Sequence, residues 1–148
     1  MSDKKEFDDY ISKNRLSDNK KILIVDDLTY VVKTIERILS EQGYLIITAK
    51  TGYEALEKFE KYFPDLITVD QKLPDMMGTQ LVEKIKKTDH GKTVKIVFIT
   101  ATSEISDIRG ILKMKIDDYL IKPFEKSKLI AVVKRLLDEK SGDTEKSE

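Results

Sequence analysis

The chain has 148 residues, 40% of them hydrophobic, which suits one ordinary core with short tails and not two domains. Charged residues reach 36%, yet 27 Lys and Arg balance 27 Asp and Glu, so the basic excess that direct nucleic-acid binding calls for is missing. Cysteine is absent, which excludes disulfides and thiolate metal sites. The N-terminus lacks a signal peptide's apolar stretch, and the longest apolar runs (residues 22–25 and 96–99) are too short for a bilayer, so a soluble, cytoplasmic protein without membrane insertion is expected.

In chain order, residues 1–19 are a polar extension in which Phe7, Tyr10 and Ile11 have helical spacing; a short helix and an unstructured tail both fit. Residues 21–26 (KILIVD) form a compact apolar run and predict a buried strand. Residues 28–41 carry Val31, Val32, Ile35, Ile38 and Leu39 on one helical face, and Gly43 supplies a stop. A second strand is expected at 44–48 (YLIIT), then a helix at 52–62 ended by Pro64, and a third strand at 65–70 (DLITVD). A loop at 73–78 (LPDMMG) leads to a helix at 79–87, a strand at 94–100 (VKIVFIT) and a helix at 105–115. A short fifth strand at 118–121 (DYLI) precedes a fifth helix beginning at Pro123, with Leu129, Val132, Val133, Leu136 and Leu137 on its apolar face. The single domain therefore runs over residues 20–138, and 139–148, with no apolar residue, are a solvated tail.

Five short apolar strands alternating with five helices imply a three-layer, doubly wound α/β domain with a parallel sheet covered on both faces. The common five-stranded order is 2-1-3-4-5. Ligands of such sheets sit beyond the carboxyl ends of the strands, at the switch in strand order. There the chain has Asp26 and Asp27 after strand one, Asp70 after strand three, Thr100 after strand four and Lys122 after strand five. Converging carboxylates repel, and a cation relieves them. With hard oxygen ligands and no His or Cys nearby, that cation is Mg²⁺, with Mn²⁺ as a substitute. Magnesium leaves positions for phosphate oxygens, and a carboxylate can itself be the nucleophile that forms an acyl phosphate. Asp70 is the candidate acceptor, with Lys122, Thr100 and the metal neutralising and positioning the phosphoryl group. Taken singly, the Asp26-Asp27 pair reads as a helix cap, Asp70 as turn chemistry and Lys122 as a solvated charge. Their coincidence at one sheet edge favours a single site.

The segments ILIVDD, VDQKLPDMMG, FITA and DDYLIKPF, in order and at fitting spacings, make residues 19–139 resemble the receiver domain of bacterial response regulators, a flavodoxin-like fold. The resemblance implies a two-component system, with Asp70 phosphorylated by a histidine kinase and an Mg²⁺ site formed by Asp26, Asp27, Asp70 and the backbone carbonyl of Lys72. It further implies Lys122 as the phosphoryl-contacting lysine, commonly with a cis bond to Pro123, and Thr100 and Tyr119 as the switch pair. The chain departs from the family at Lys115-Ile116, where small residues are usual. Lys72 and Thr102, each two residues past a site residue, are expected to set the lifetime of the phosphorylated state.

With no second domain in the sequence, the output is expected to leave through a surface, and the resemblance implies the one formed by the fourth helix, fifth strand and fifth helix. That face offers Lys113, Lys115, Lys126, Lys128, Lys134 and Arg135 beside Ile105, Ile108 and Tyr119. The reading is a chemotaxis-like switch that binds a protein target when phosphorylated; the alternative is a phosphorelay intermediate that passes the group to a histidine phosphotransfer protein. An enzyme is not expected beyond catalysis of the chain's own phosphorylation and dephosphorylation. A haloacid dehalogenase-type phosphatase needs a second aspartate where Lys72 stands, and a dinucleotide enzyme needs glycines where Asp26-Asp27-Leu28 stands. The single histidine, His90, is read as solvent-exposed.

Overall fold

The structure is a computed structural model, and it describes residues 19–138. The expectations for residues 1–18 and 139–148 lie outside the described residues. The elements are β1 (Lys21–Val25), α1 (Thr29–Ser40), β2 (Leu45–Ala49), α2 (Gly52–Tyr62), β3 (Leu66–Val69), α3 (Gly78–Lys86), a 3₁₀ turn (His90–Lys92), β4 (Lys95–Thr100), α4 (Ile105–Lys113), β5 (Asp118–Ile121) and α5 (Lys126–Leu137). The five strands form one parallel sheet in the order β2-β1-β3-β4-β5, as the alternation of elements predicts.

Side-chain alternation along the strands divides the core in two. On one face Leu23, Val25, Ile67, Val69 and Phe98 meet Ala55 and Phe59 of α2, Leu81, Val82 and Ile85 of α3 and Ile111 of α4. On the other, Ile22, Ile24, Leu66, Val97 and Ile99 meet the apolar face of α1 and Leu129 and Val133 of α5. The central strands β1, β3 and β4 are buried on both sides and so read as unbroken apolar runs, whereas the edge strands β2 and β5 are only half covered. Each large aliphatic side chain contributes about 1.5–3 kcal/mol when fully buried, so the two layers hold the strand ends in fixed register.

The ends of the elements follow local chemistry. Gly43 (φ 98°) closes α1 in the left-handed region, as expected of a glycine stop. Phe63 caps α2 with φ 47°, since Pro64 disfavours the helical region for the residue before it. Asn19, placed by the sequence in the extension, donates its amide to the Gly43 carbonyl at 2.6 Å. The fifth helix starts at Lys126 and not at Pro123: the Lys122–Pro123 peptide is cis, and the helical bonds begin with Lys128 and Leu129 N–H donating to the Glu125 carbonyl.

His90 is half-buried and not solvent-exposed. Its Nε2 lies 2.6 Å from the Pro64 carbonyl, and its ring is 5.3 Å from those of both Phe59 and Phe63. A carbonyl only accepts, so Nε2 carries the proton. The histidine fastens the turn after α3 to the end of α2.

The N-terminus of α2 is capped from a distance. Asp75, in the loop after β3, accepts the N–H groups of Gly52 at 2.8 Å and Tyr53 at 2.9 Å. Desolvation works against its ionised form, but these two bonds outweigh it and hold the carboxyl below its ordinary value of 3.8. Asp75→Ala is expected to cost about 1 kcal/mol at neutral pH, measured by urea unfolding. Because the folded-state pKa is lowered, the cap contributes fully above the unfolded value. The gap between wild type and variant should shrink as pH falls through the lower, folded value.

Candidate functional site

Register brings the predicted residues together. Val25 pairs with Val69, and the Asp70 N–H donates to the Val25 carbonyl at 3.1 Å, so Asp26 and Asp70 leave adjacent strands side by side. Across the sheet, the Lys122 N–H donates to the Thr100 carbonyl at 3.0 Å, which carries the lysine back over the strand ends. Its Nζ reaches Asp26 Oδ2 at 2.7 Å and Asp70 Oδ2 at 3.2 Å. One carboxylate oxygen from each of Asp26, Asp27 and Asp70 lies within 4.8 Å of the others. Asp26 and Asp70 are buried, and Asp27 is open to solvent.

The charge balance is unfavourable as it stands. Three carboxylates against one ammonium leave two negative charges in a largely buried site. Burial pushes the Asp26 carboxyl above its ordinary value and the neighbouring Asp70 adds to this, while Lys122 and the Leu28 N–H pull the other way. Burial opposes the Lys122 ammonium, but its bond to Asp26 and the charges of Asp70 and Asp26 outweigh that and hold its pKa above the usual lysine value. A divalent cation matches the surplus, and an all-oxygen donor set fits Mg²⁺. Asp26 does not cap α1, whose N-cap is Leu28 with no side-chain cap; its Oδ1 instead accepts the Leu28 N–H at 3.0 Å in the turn that precedes the helix.

The other predicted residues flank this cluster. Thr100 is buried at the end of β4, and its Oγ1 accepts the Thr102 N–H at 3.3 Å. Tyr119 pairs with Phe98 in the β4–β5 register and packs, half-buried, on the α2–α3–α4 side of the sheet, away from the carboxylates. The exposed Lys72 side chain turns toward α4, 3.5 Å from Asp107 and 3.6 Å from Glu104. On the expected output face Ile105 is exposed and Ile108 half-buried. The basic charge there is partly paired: Arg135 binds Asp118, Lys134 lies 3.8 Å from Asp138, and Lys126 lies 4.0 Å from Glu41. Ile116, at the departure from small residues, packs half-buried against the core.

Two residues were missed from the sequence. Gln71 is buried directly after Asp70; its Oε1 accepts the Thr79 N–H at 3.0 Å and its Nε2 donates to Asp107 Oδ1 at 3.1 Å. Asp107, in the first turn of α4, also accepts the Thr102 hydroxyl at 2.9 Å. The available signals were a polar side chain abutting the acceptor at a buried strand end, and an acid in the first turn of a helix.

Among the described residues, no helix is long and apolar enough to cross a membrane. The chain is 35% identical over 122 residues to the probable transcriptional regulator ycf27 of Guillardia theta, covering 82% of this chain and 47% of that protein. It thus spans about half the length of that relative. It is 29% identical over 118 residues to the chemotaxis protein CheY of Thermotoga maritima, covering 79% of this chain and 97% of that one. Among solved structures, the receiver domain of a sensor histidine kinase from Pseudomonas aeruginosa PAO1, with a magnesium ion coordinated in its active site cleft, superimposes with a TM-score of 0.76. It is 28% identical, over 82% of this chain and 99% of that one. The sequence profile of the response regulator receiver domain matches residues 22–134, which include every site residue above, and the chain belongs to that family.

Proposed function

We propose that this receiver domain works as a phosphorylation switch in a two-component system, with Asp70 as acceptor and the phosphohistidine of a histidine kinase as donor. The observation that carries the reading is the buried Asp70 carboxylate, 3.2 Å from the Lys122 ammonium and clustered with Asp26 and Asp27. An Asp70 oxygen bonds to phosphorus as the donor's P–N bond breaks, and the electron pair of that bond stays on the imidazole nitrogen. Asp26, Asp27, Asp70 and the Lys72 backbone carbonyl would hold Mg²⁺, which supplies positive charge to the transferring phosphoryl oxygens. Lys122, 3.2 Å from Asp70, adds a second positive charge. A groove of about 590 Å³, lined by Leu28, Tyr30, Ile38, Pro123 and Phe124, opens beside Lys122 and supports docking of a donor domain next to the acceptor.

The phosphoryl group brings strong acceptor oxygens to within reach of the Thr100 loop. The Thr100 hydroxyl, whose oxygen accepts the Thr102 N–H, turns to donate its proton to these oxygens, and Tyr119 follows inward beside Phe98. This alters the face of α4, β5 and α5, through which the chain binds its protein target. Toward other substrates it has no catalytic role.

The test uses Mg²⁺ with a small acyl or amido phosphate donor. The purified chain should take up one equivalent of base-labile phosphate, and a chelator should prevent it. Uptake that ignores the chelator, or none at all, would sink the proposal.

A further inference from the structure

The side chains around Asp107 form a junction that the phosphorylation chemistry described above does not use. Its carboxylate accepts Gln71 Nε2 at 3.1 Å on one oxygen. On the other it takes the Thr102 hydroxyl at 2.9 Å and the Lys72 ammonium at 3.5 Å. Gln71 and Lys72 are the first and second residues after the acceptor, and Thr102 is the second residue after Thr100. One half-buried carboxylate on α4 therefore holds both loops that border the phosphoryl position. These bonds keep its carboxyl below its ordinary value, so it is ionised at neutral pH.

We infer that Asp107 is a positioning residue that holds the Lys72 ammonium against α4 before phosphorylation and competes with the phosphoryl group for it afterwards. The inference rests on Asp70 being the phosphoacceptor. Lys72 is a flexible cation two residues from that acceptor, and its partners, Asp107 and Glu104, carry one negative charge each. A phosphoryl group carries nearly two, with three acceptor oxygens. As charge builds up at Asp70, Lys72 moves from α4 toward it. The first turn of α4 loses a charged tie to the acceptor loop in the same step that the phosphoryl group gains one. This couples Asp70 to α4 by a second route, separate from Thr100 and Tyr119. It also gives the expected role of Lys72 in phosphoryl lifetime a physical origin: a lysine freed from Asp107 covers the acyl phosphate and screens it from water.

The test is a double-mutant cycle on the full chain with Asp107→Asn, Lys72→Met and the pair, following phosphorylation by a small anionic donor and subsequent phosphoryl loss. Asparagine keeps the shape and an acceptor for Thr102, but it loses the charge that restrains Lys72 and the oxygen that accepts Gln71 Nε2. Asp107→Asn should speed phosphorylation and slow phosphoryl loss, each by roughly two- to fivefold, the scale of one solvent-exposed ion pair. Lys72→Met, an exposed substitution that leaves the fold intact, should shift both rates the opposite way. In the Lys72→Met background, Asp107→Asn should keep only the smaller effect of the lost Gln71 bond, so most of the change in both rates disappears. An Asp107→Asn effect that persists undiminished without Lys72 would mean that Asp107 merely supports α4, and would overturn the inference, as would rates that Asp107→Asn leaves unchanged. If the wild-type chain took up no phosphate, both this inference and the proposed function would fall.

Discussion

Asp70→Asn should reduce uptake of base-labile phosphate from a small donor to background while leaving the fold intact. The amide has nearly the shape of the carboxylate, so the register of β3 against β1 and β4 is unaffected, but its oxygen is too weak a nucleophile to form the phosphoryl bond. The substitution also removes one of the clustered carboxylates that burden the site, and Lys122 keeps its shorter bond to Asp26. Thermal stability should therefore equal or exceed that of wild type. Lys122→Met makes an informative contrast. It removes positive charge and no reacting atom, so it should slow phosphorylation by about a hundred- to a thousandfold without abolishing it, the usual cost of losing one preorganised electrostatic contact. A quantitative assay of phosphate bound per chain, with circular dichroism for folding, separates these outcomes.

Gly78→Ala should damage stability and the site together. Gly78 opens α3 directly over the acceptor, with its N–H donating to the Gln71 carbonyl at 2.7 Å. A Cβ there would lie 2.4 Å from the Asp70 carbonyl oxygen and 3.0 Å from the Gln71 Cα. Both are backbone atoms, so the acceptor segment itself must shift. The overpacking should cost about 1–3 kcal/mol in urea unfolding, and phosphorylation of the folded protein should slow as Asp70 moves against Asp26 and Lys122. Gly91→Ala is the control. Gly91 lies in the turn after α3, and its Cβ would meet the Ile85 carbonyl oxygen in the last turn of that helix, a contact that does not involve the site's backbone. It should destabilise the chain comparably, while the folded fraction phosphorylates at the wild-type rate.

Most of the architecture could be read from the sequence because β1, β3 and β4 are buried on both faces and so appear as compact apolar runs. Asp26 and Asp70 were legible for the same reason, as polar residues that immediately follow such runs. Features that depend on distant partners were not. His90 is held by Pro64, 26 residues away, and Asp75 caps α2 across 23 residues; neither pairing leaves a periodic trace. Asp107 looks like an ordinary acid in a helix's first turn until the fold brings Gln71, 36 residues earlier, against it. The start of α5 was misjudged because proline is a good first residue of a helix, whereas the apolar spacing of Leu129 and Val133 fixes a helix face without fixing its first turn. The helix-cap reading of Asp26 fails because α1 is capped at Leu28; one Asp26 oxygen accepts the Leu28 N–H in the preceding turn and the other faces Lys122.

The central claim is that phosphorus bonds to one carboxylate among three neighbours. An aspartyl phosphate is reduced by borohydride to homoserine, which marks the modified position in a peptide map. After Mg²⁺-dependent phosphorylation and reduction, homoserine should appear at position 70 and nowhere else. Homoserine at position 26 or 27, or phosphate that survives base on a hydroxyl side chain, would contradict the account.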